Sequence, residues 1–157
     1  MNTRVKLFLS KCITRLHFLV YGHRHWYNAN GKLHRVDGPA FERADGTKAW
    51  FVNSLQHRLD GPAVEWANGD RQWWVNGQRH RIDGPSFEGV NGTKAWYVNG
   101  KCHRLDGPAI EWYGGDKEWW VDDKLLPLEE INQWIEENNL TVPFNEEAQL
   151  LFKLRWM

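Results

Sequence analysis

His57-Arg58-Leu59-Asp60-Gly61-Pro62-Ala63 decides how this chain is read. The same box stands at His34 to Ala40, His80 to Ser86 and His103 to Ala109, spaced by 23 residues without insertion or deletion. The stretches between boxes keep the same period. Phe41, Val64, Phe87 and Ile110 are each followed by a glutamate, and then by Gly46, Gly69, Gly92 or Gly115. A cation follows (Lys48, Arg71, Lys94, Lys117), then Trp50, Trp73, Trp96 or Trp119, a second aromatic and a valine. A fixed period of this size predicts stacked units that contact their neighbours, not a globular enzyme fold.

Two series of turn signals divide each period. One is Asp45-Gly46, Asn68-Gly69, Asn91-Gly92 and Gly114-Gly115. The other is Asn30-Gly31, Asn76-Gly77 and Asn99-Gly100, with Asn53-Ser54 and Asp122-Asp123 as irregular members. Asn, Asp and Gly tolerate the positive φ that type I′ hairpin turns require. The expectation is a mainly β fold in which residues 21–123 form four to five hairpin repeats that continue into one long antiparallel meander. Two-residue turns would set Val64 opposite Trp73 and Trp66 opposite Arg71, with Phe41–Trp50, Phe87–Trp96 and Ile110–Trp119 equivalent. Arg71 would then lie over Trp66 and Lys117 over Trp112 as cation–π pairs. Strand alternation sends Phe51, Trp74, Tyr97 and Trp120 to the opposite face, beside the glutamates. An exposed aromatic row of that kind usually marks a binding surface, so these four residues are the expected site.

The ends differ from the repeats. Residues 1–20 read as an N-terminal cap on one end of the array, built on a basic amphipathic helix over residues 4–20. Its apolar set is Val5, Phe8, Leu9, Cys12, Ile13, Leu16, Leu19 and Val20. No Asp or Glu precedes Asp37, which leaves an anionic membrane surface as an alternative use of that helix. Residues 124–157 read as a helical cap over the other end, with one helix over Leu128 to about Asn138 and an N-cap at Asn145. Leu150 to Trp156 fits a helix or a strand equally well.

The repeats resemble the MORN-repeat family, and most closely a variant in which Trp and Asn-Gly dominate and His-Arg-x-Asp-Gly-Pro connects the units. The likeness spans about residues 26–123, and Trp73 to Pro85 is a representative unit. The resemblance implies an elongated, twisted antiparallel sheet of hairpins. It implies scaffolding through protein contacts, some lipid binding in the wider family, and no enzymatic activity. Variant repeats of this look are frequent in large-phage proteins and in bacterial antitoxin-like proteins. A factor acting in the host cytoplasm on a host or rival protein is the functional expectation.

The box itself is tempting as a chemical site. His34 with Asp37, His57 with Asp60, His80 with Asp83 and His103 with Asp106 have spacings that suggest metal ligation or acid–base work. Repetition argues for a structural role, since an enzyme needs one asymmetric set with distinct roles. No metal, cofactor or catalytic residue is therefore expected. Net charge is zero, which disfavours nucleic acid as the partner; carbohydrate stacking on the tryptophans remains an alternative. Cys12 and Cys102 make no disulfide framework, which points to a reducing, cytoplasmic setting. The sheet's open edges would allow homo-oligomers.

Overall fold

Two kinds of tight turn alternate along the repeats, and the difference between them sets the architecture. The structure, a computed structural model, describes the backbone of residues 13–15 and residues 22–157 in full. At Asn53-Ser54, Asn76-Gly77, Asn99-Gly100 and Asp122-Asp123 both central residues have positive φ (51° and 67°, 51° and 77°, 50° and 82°, 50° and 66°). That left-handed pair is the type I′ turn expected for them. Ser54 and Asp123 stand where glycine would be easiest. Each offers a side-chain oxygen in return: Leu33 N–H donates to Ser54 Oγ at 3.1 Å, and Cys102 N–H to Asp123 Oδ1 at 2.7 Å.

The other series is built differently. Only Gly46, Gly69, Gly92 and Gly115 have positive φ there (96°, 98°, 96° and 94°). Gly69 N–H donates to the Trp66 carbonyl at 2.9 Å and Trp66 N–H to the Asp70 carbonyl at 3.0 Å. This is a three-residue loop, a type I turn closed by a bulging glycine. Asn30-Gly31 is of the same kind, with only Gly31 left-handed at φ 70°. The type I′ expectation is corrected for all of these. The extra residue moves the register by one. Val64 faces Gln72 and Glu65 faces Arg71. Phe41, Phe87 and Ile110 face Ala49, Ala95 and Glu118, not the tryptophans that follow.

The chain forms two compact units, Met1–Gln78 and Arg79–Met157. The first holds β1 (Ile13–Arg15), β2 (Arg24–Tyr27), β3 (Phe41–Glu42), β4 (Lys48–Ala49), β5 (Phe51–Val52), β6 (Leu55–Gln56), β7 (Val64–Glu65), β8 (Arg71–Gln72) and β9 (Trp74–Val75). After β10 (Gln78–Arg79) come β11 (Phe87–Glu88), β12 (Lys94–Ala95), β13 (Tyr97–Val98), β14 (Lys101–Cys102), β15 (Ile110–Glu111), β16 (Lys117–Glu118), β17 (Trp120–Val121) and β18 (Lys124–Leu125). In the first unit β1-β2-β3-β4-β7-β8 make an antiparallel sheet, and the β5-β6 hairpin stands outside it. In the second, β11-β12-β15-β16 form the sheet and the hairpins β13-β14 and β17-β18 stand outside.

The expected single meander is therefore corrected: each repeat places one hairpin in a sheet and a second one off it. The corner between them is a tryptophan. Trp50 N–H donates to the carbonyl of Ala63, just ahead of β7, at 2.8 Å, while the Trp50 carbonyl receives His57 N–H within its own hairpin at 3.1 Å. Trp96 repeats this with Ala109 at 2.8 Å and His103 at 3.1 Å. One residue serves two ladders, so the strand cannot continue straight. The alanine side of this joint has no room. Ala40, Ala63, Ser86 and Ala109 are all 0% exposed, which is why the box ends in a small residue every time.

The repeats end in two helices, α1 (Leu128–Glu137) and α2 (Glu146–Trp156). Leu126 takes the place of the box histidine, its N–H donating to the Trp119 carbonyl at 2.8 Å. Beyond it no Asp-Gly-Pro-Ala follows, and Pro127 opens α1 instead. Asn145 caps α2 as expected, its side chain accepting Ala148 N–H at 2.8 Å. The undecided segment 150–156 is helical. Trp119, Val121, Leu126, Ile131, Trp134, Phe144, Ala148 and Phe152 make one buried cluster, with Leu105 packed against it. The cap thus seals the last repeat as solenoid ends require.

At the other end the helix expected over residues 4–20 does not run through. Ile13–Arg15 pair antiparallel with His25–Tyr27, and a strand there excludes one continuous helix; the rest of residues 1–20 lies outside the described residues. Among the described residues no helix is long and apolar enough to cross a membrane. Phe152 is 0% exposed and lies 5.8 Å, centroid to centroid, from Trp119. Phe152→Ala should destabilise the second unit by about 3–5 kcal/mol, the usual range for a buried phenylalanine. Urea unfolding followed by tryptophan fluorescence measures it.

Candidate functional site

The arginine of each box is its hub. Arg58 Nε donates to Asp60 at 2.9 Å, and its Nη1 donates to the Pro62 carbonyl at 3.1 Å and to Glu65 at 3.0 Å. Its guanidinium lies over the Trp50 ring at 4.0 Å. Arg104 repeats the set with Asp106 at 2.7 Å, Pro108 at 3.1 Å, Glu111 at 3.0 Å and Trp96 at 3.9 Å. Arg35 lies over Trp26 at 4.5 Å. A planar fork with a weakly hydrated face suits this combination of carboxylates, carbonyl and indole. Over Trp26, Trp50 and Trp96 the stacking cations are thus the box arginines, which corrects the expected Arg71–Trp66 and Lys117–Trp112 pairs. The box glycine makes room for the guanidinium: a Cβ at Gly61 would stand 3.0 Å from Arg58 Cζ.

The other box residues are engaged in the fold. His34, His57, His80 and His103 Nδ1 accept the N–H of Asn53, Asn76, Asn99 and Asp122 at 3.2, 3.1, 3.1 and 3.3 Å. Each imidazole therefore anchors the turn of the following hairpin. Asp37, Asp60, Asp83 and Asp106 receive their own box arginine. Hydrogen bonds from Arg58 and Arg81 hold the Asp60 and Asp83 carboxyls below their ordinary value. Among the described residues no group of three or more His, Cys, Asp or Glu is placed to hold a metal ion. Burial, reinforced by Asp123 and Glu118, pushes the Cys102 thiol up to about 12, which removes it as a nucleophile near neutral pH.

The expected binding row is only half open. Phe51, Trp74, Tyr97 and Trp120 begin the hairpins that stand off the sheets, and all four are half-buried. This corrects their placement on the back of one thin sheet. Trp74 Nε1 donates to Gln72 at 3.0 Å, and Trp120 Nε1 donates to Glu118 at 2.8 Å. Tyr97 lies under the Arg79 guanidinium at 5.3 Å, and burial raises its phenol above the ordinary value.

The sequence reading overlooked the most exposed apolar side chains among the described residues. Val36, Leu59 and Ile82, the variable position of three boxes, are 81%, 79% and 84% exposed. The signal was present: the third box position varies between Val, Leu and Ile but is always aliphatic. In the first unit Val36 and Leu59 border a cleft of about 620 Å³ whose walls include Trp50, Val52 and His57. In the second, Ile82 and Leu105 border one of about 700 Å³, and there Gln149 of α2 joins the wall. Phe144 N–H donates to the Asp106 carbonyl at 2.6 Å, so the chain's own cap sits on the fourth box.

No family model matches the chain, and no curated protein matches it either.

Two outcomes follow from the hub. Arg58→Lys keeps the charge but loses the fork, and should destabilise by about 1–3 kcal/mol through the bonds to Pro62 and Glu65, measured by chemical unfolding. The lowered Asp45, Asp60 and Asp83 favour the folded state above the unfolded carboxylate value of about 3.9, and that support is lost as pH falls through their folded values. A pH series of thermal melts should show this loss below about pH 4.

Proposed function

We propose that this is a non-enzymatic repeat protein of the MORN-like variant class that binds another protein through the box face. One observation carries the reading. Three boxes hold an aliphatic side chain out to solvent at the same position, Val36, Leu59 and Ile82. An exposed apolar residue repeated at one structural position is characteristic of a contact surface. The fourth box supports this from within the molecule: Leu105 at that position packs against the cluster containing Phe144 and Phe152. Polypeptide docked on a box is thus a contact the chain already makes.

The engagement of all four imidazoles and carboxylates in repeated hydrogen bonds supports a binding role over catalysis. The likeness to variant repeats of phage and bacterial proteins supports a partner in the host or in a rival cell, bound to modulate its activity in an anti-defence or antitoxin-like way. Phe51, Trp74, Tyr97 and Trp120 then serve mainly to hold the outer hairpins.

A Val36→Asp/Leu59→Asp pair should leave the melting temperature within a few degrees of the parent, as solvent-facing changes do, and abolish capture of partners from host lysate, read by mass spectrometry. Trp74→Ala/Trp120→Ala should instead lower the melting temperature. Unchanged capture by the first pair would sink the box-face assignment.

A further inference from the structure

Among the described residues, the second unit ends on a strand with nothing paired to its outer side. β16 is the last strand of its sheet. Trp112 N–H donates to the Asp116 carbonyl at 2.9 Å, so alternation turns Glu118 toward β15, whereas the backbone groups of Lys117 and Trp119 point away from it. In the preceding repeats those outward positions are occupied. Lys48 and Lys94 face Glu65 and Glu111, Ala49 and Ala95 face Val64 and Ile110, and Trp50 and Trp96 N–H reach Ala63 and Ala109 at 2.8 Å. The strand that would continue the series is missing because that stretch of chain forms α1, Leu128–Glu137. Beside the edge lies a cleft of about 420 Å³ lined by Lys117, Trp119, Leu125, Leu126 and Leu128. Leu125 and Leu128 are 53% and 47% exposed.

The geometry points to β16 as a docking edge for an extended segment of another protein, with the pattern small residue, then Ile, Val or Phe, then Glu. The molecule supplies the template: Ala63-Val64-Glu65 and Ala109-Ile110-Glu111 are such segments seated on the equivalent edges. The small residue lets its carbonyl approach Trp119 N–H. The middle side chain enters the leucine-lined cleft. Glu118 tolerates it there, since the carboxylate is held by the Trp112 and Trp120 indoles at 2.8 Å each and already faces Ile110 on its other side. The glutamate meets exposed Lys117, and its N–H meets the Lys117 carbonyl. Strand addition gives affinity through the backbone and specificity through alternate side chains. This site is separate from the box face.

The test is an NMR titration of the ¹⁵N-labelled full chain with an end-blocked peptide, Gly-Pro-Ala-Ile-Glu-Trp-Tyr. Saturable shifts at the amides of Lys117, Trp119, Leu125, Leu126 and Leu128 are expected. A peptide N-methylated at its glutamate should not bind. Replacing that glutamate by lysine should weaken binding by about tenfold, and Lys117→Glu should reverse the preference; Lys117→Gln serves if the reversal variant does not fold. Shifts confined elsewhere, no saturable binding, or indifference to both peptide changes would overturn the proposal. Self-association lost on Lys117→Glu would overturn it too, by making a second copy the occupant. The Val36→Asp/Leu59→Asp chain should bind this peptide unchanged, so the edge and the box face stand or fall separately.

Discussion

Arginine clamped between a carboxylate, a carbonyl, a second carboxylate and an indole is the constraint on which the repeats depend. Arg58 and Arg104 each satisfy all four contacts. The box composition follows from that one side chain. Aspartate two residues on meets Nε, the proline carbonyl receives Nη1, and glycine leaves space for the guanidinium above it. The glutamate seven residues on begins the next sheet hairpin. The connector between hairpins is thereby tied to the strand it delivers, and the tryptophan beneath ties it to the repeat before.

Histidine and alanine complete the joint from either side. The imidazole Nδ1 fastens the following type I′ turn, and the buried alanine gives its carbonyl to the tryptophan corner. Both are backbone-directed bonds, which explains how Phe, Trp and Tyr can exchange at positions 51, 74, 97 and 120 while the box stays fixed. At the C-terminal end the box is replaced by Leu126-Pro127-Leu128, the joint fails, and the apolar surface it would have extended is covered by α1 and α2.

Much of this was legible in the residues. The period, the hairpins, the type I′ series, α1 and the Asn145 cap all followed from spacing and turn chemistry. The register did not, because Asn-Gly serves two turns alike: in one both residues are left-handed, in the other only the glycine. The companion cue was the residue after it, since Asp45, Asn68 and Asn91 each accept the N–H two positions on. One unrecognised loop residue moved every tryptophan off its expected partner. Leu150 to Trp156 could not be assigned because its apolar residues fit either period; packing on Trp119 and Trp134 decides it. The arginine hub needs contacts across repeats that no local pattern reveals.

The tryptophan corner has a consequence for how such a gene can change. Within each unit, consecutive repeats are joined by the same few atoms, so duplicating or deleting a whole 23-residue frame recreates an identical seam. Loss of a single codon would instead misalign imidazole, guanidinium and methyl group together. A gain or loss of whole frames thus preserves the joint, whereas a shift by one residue breaks it.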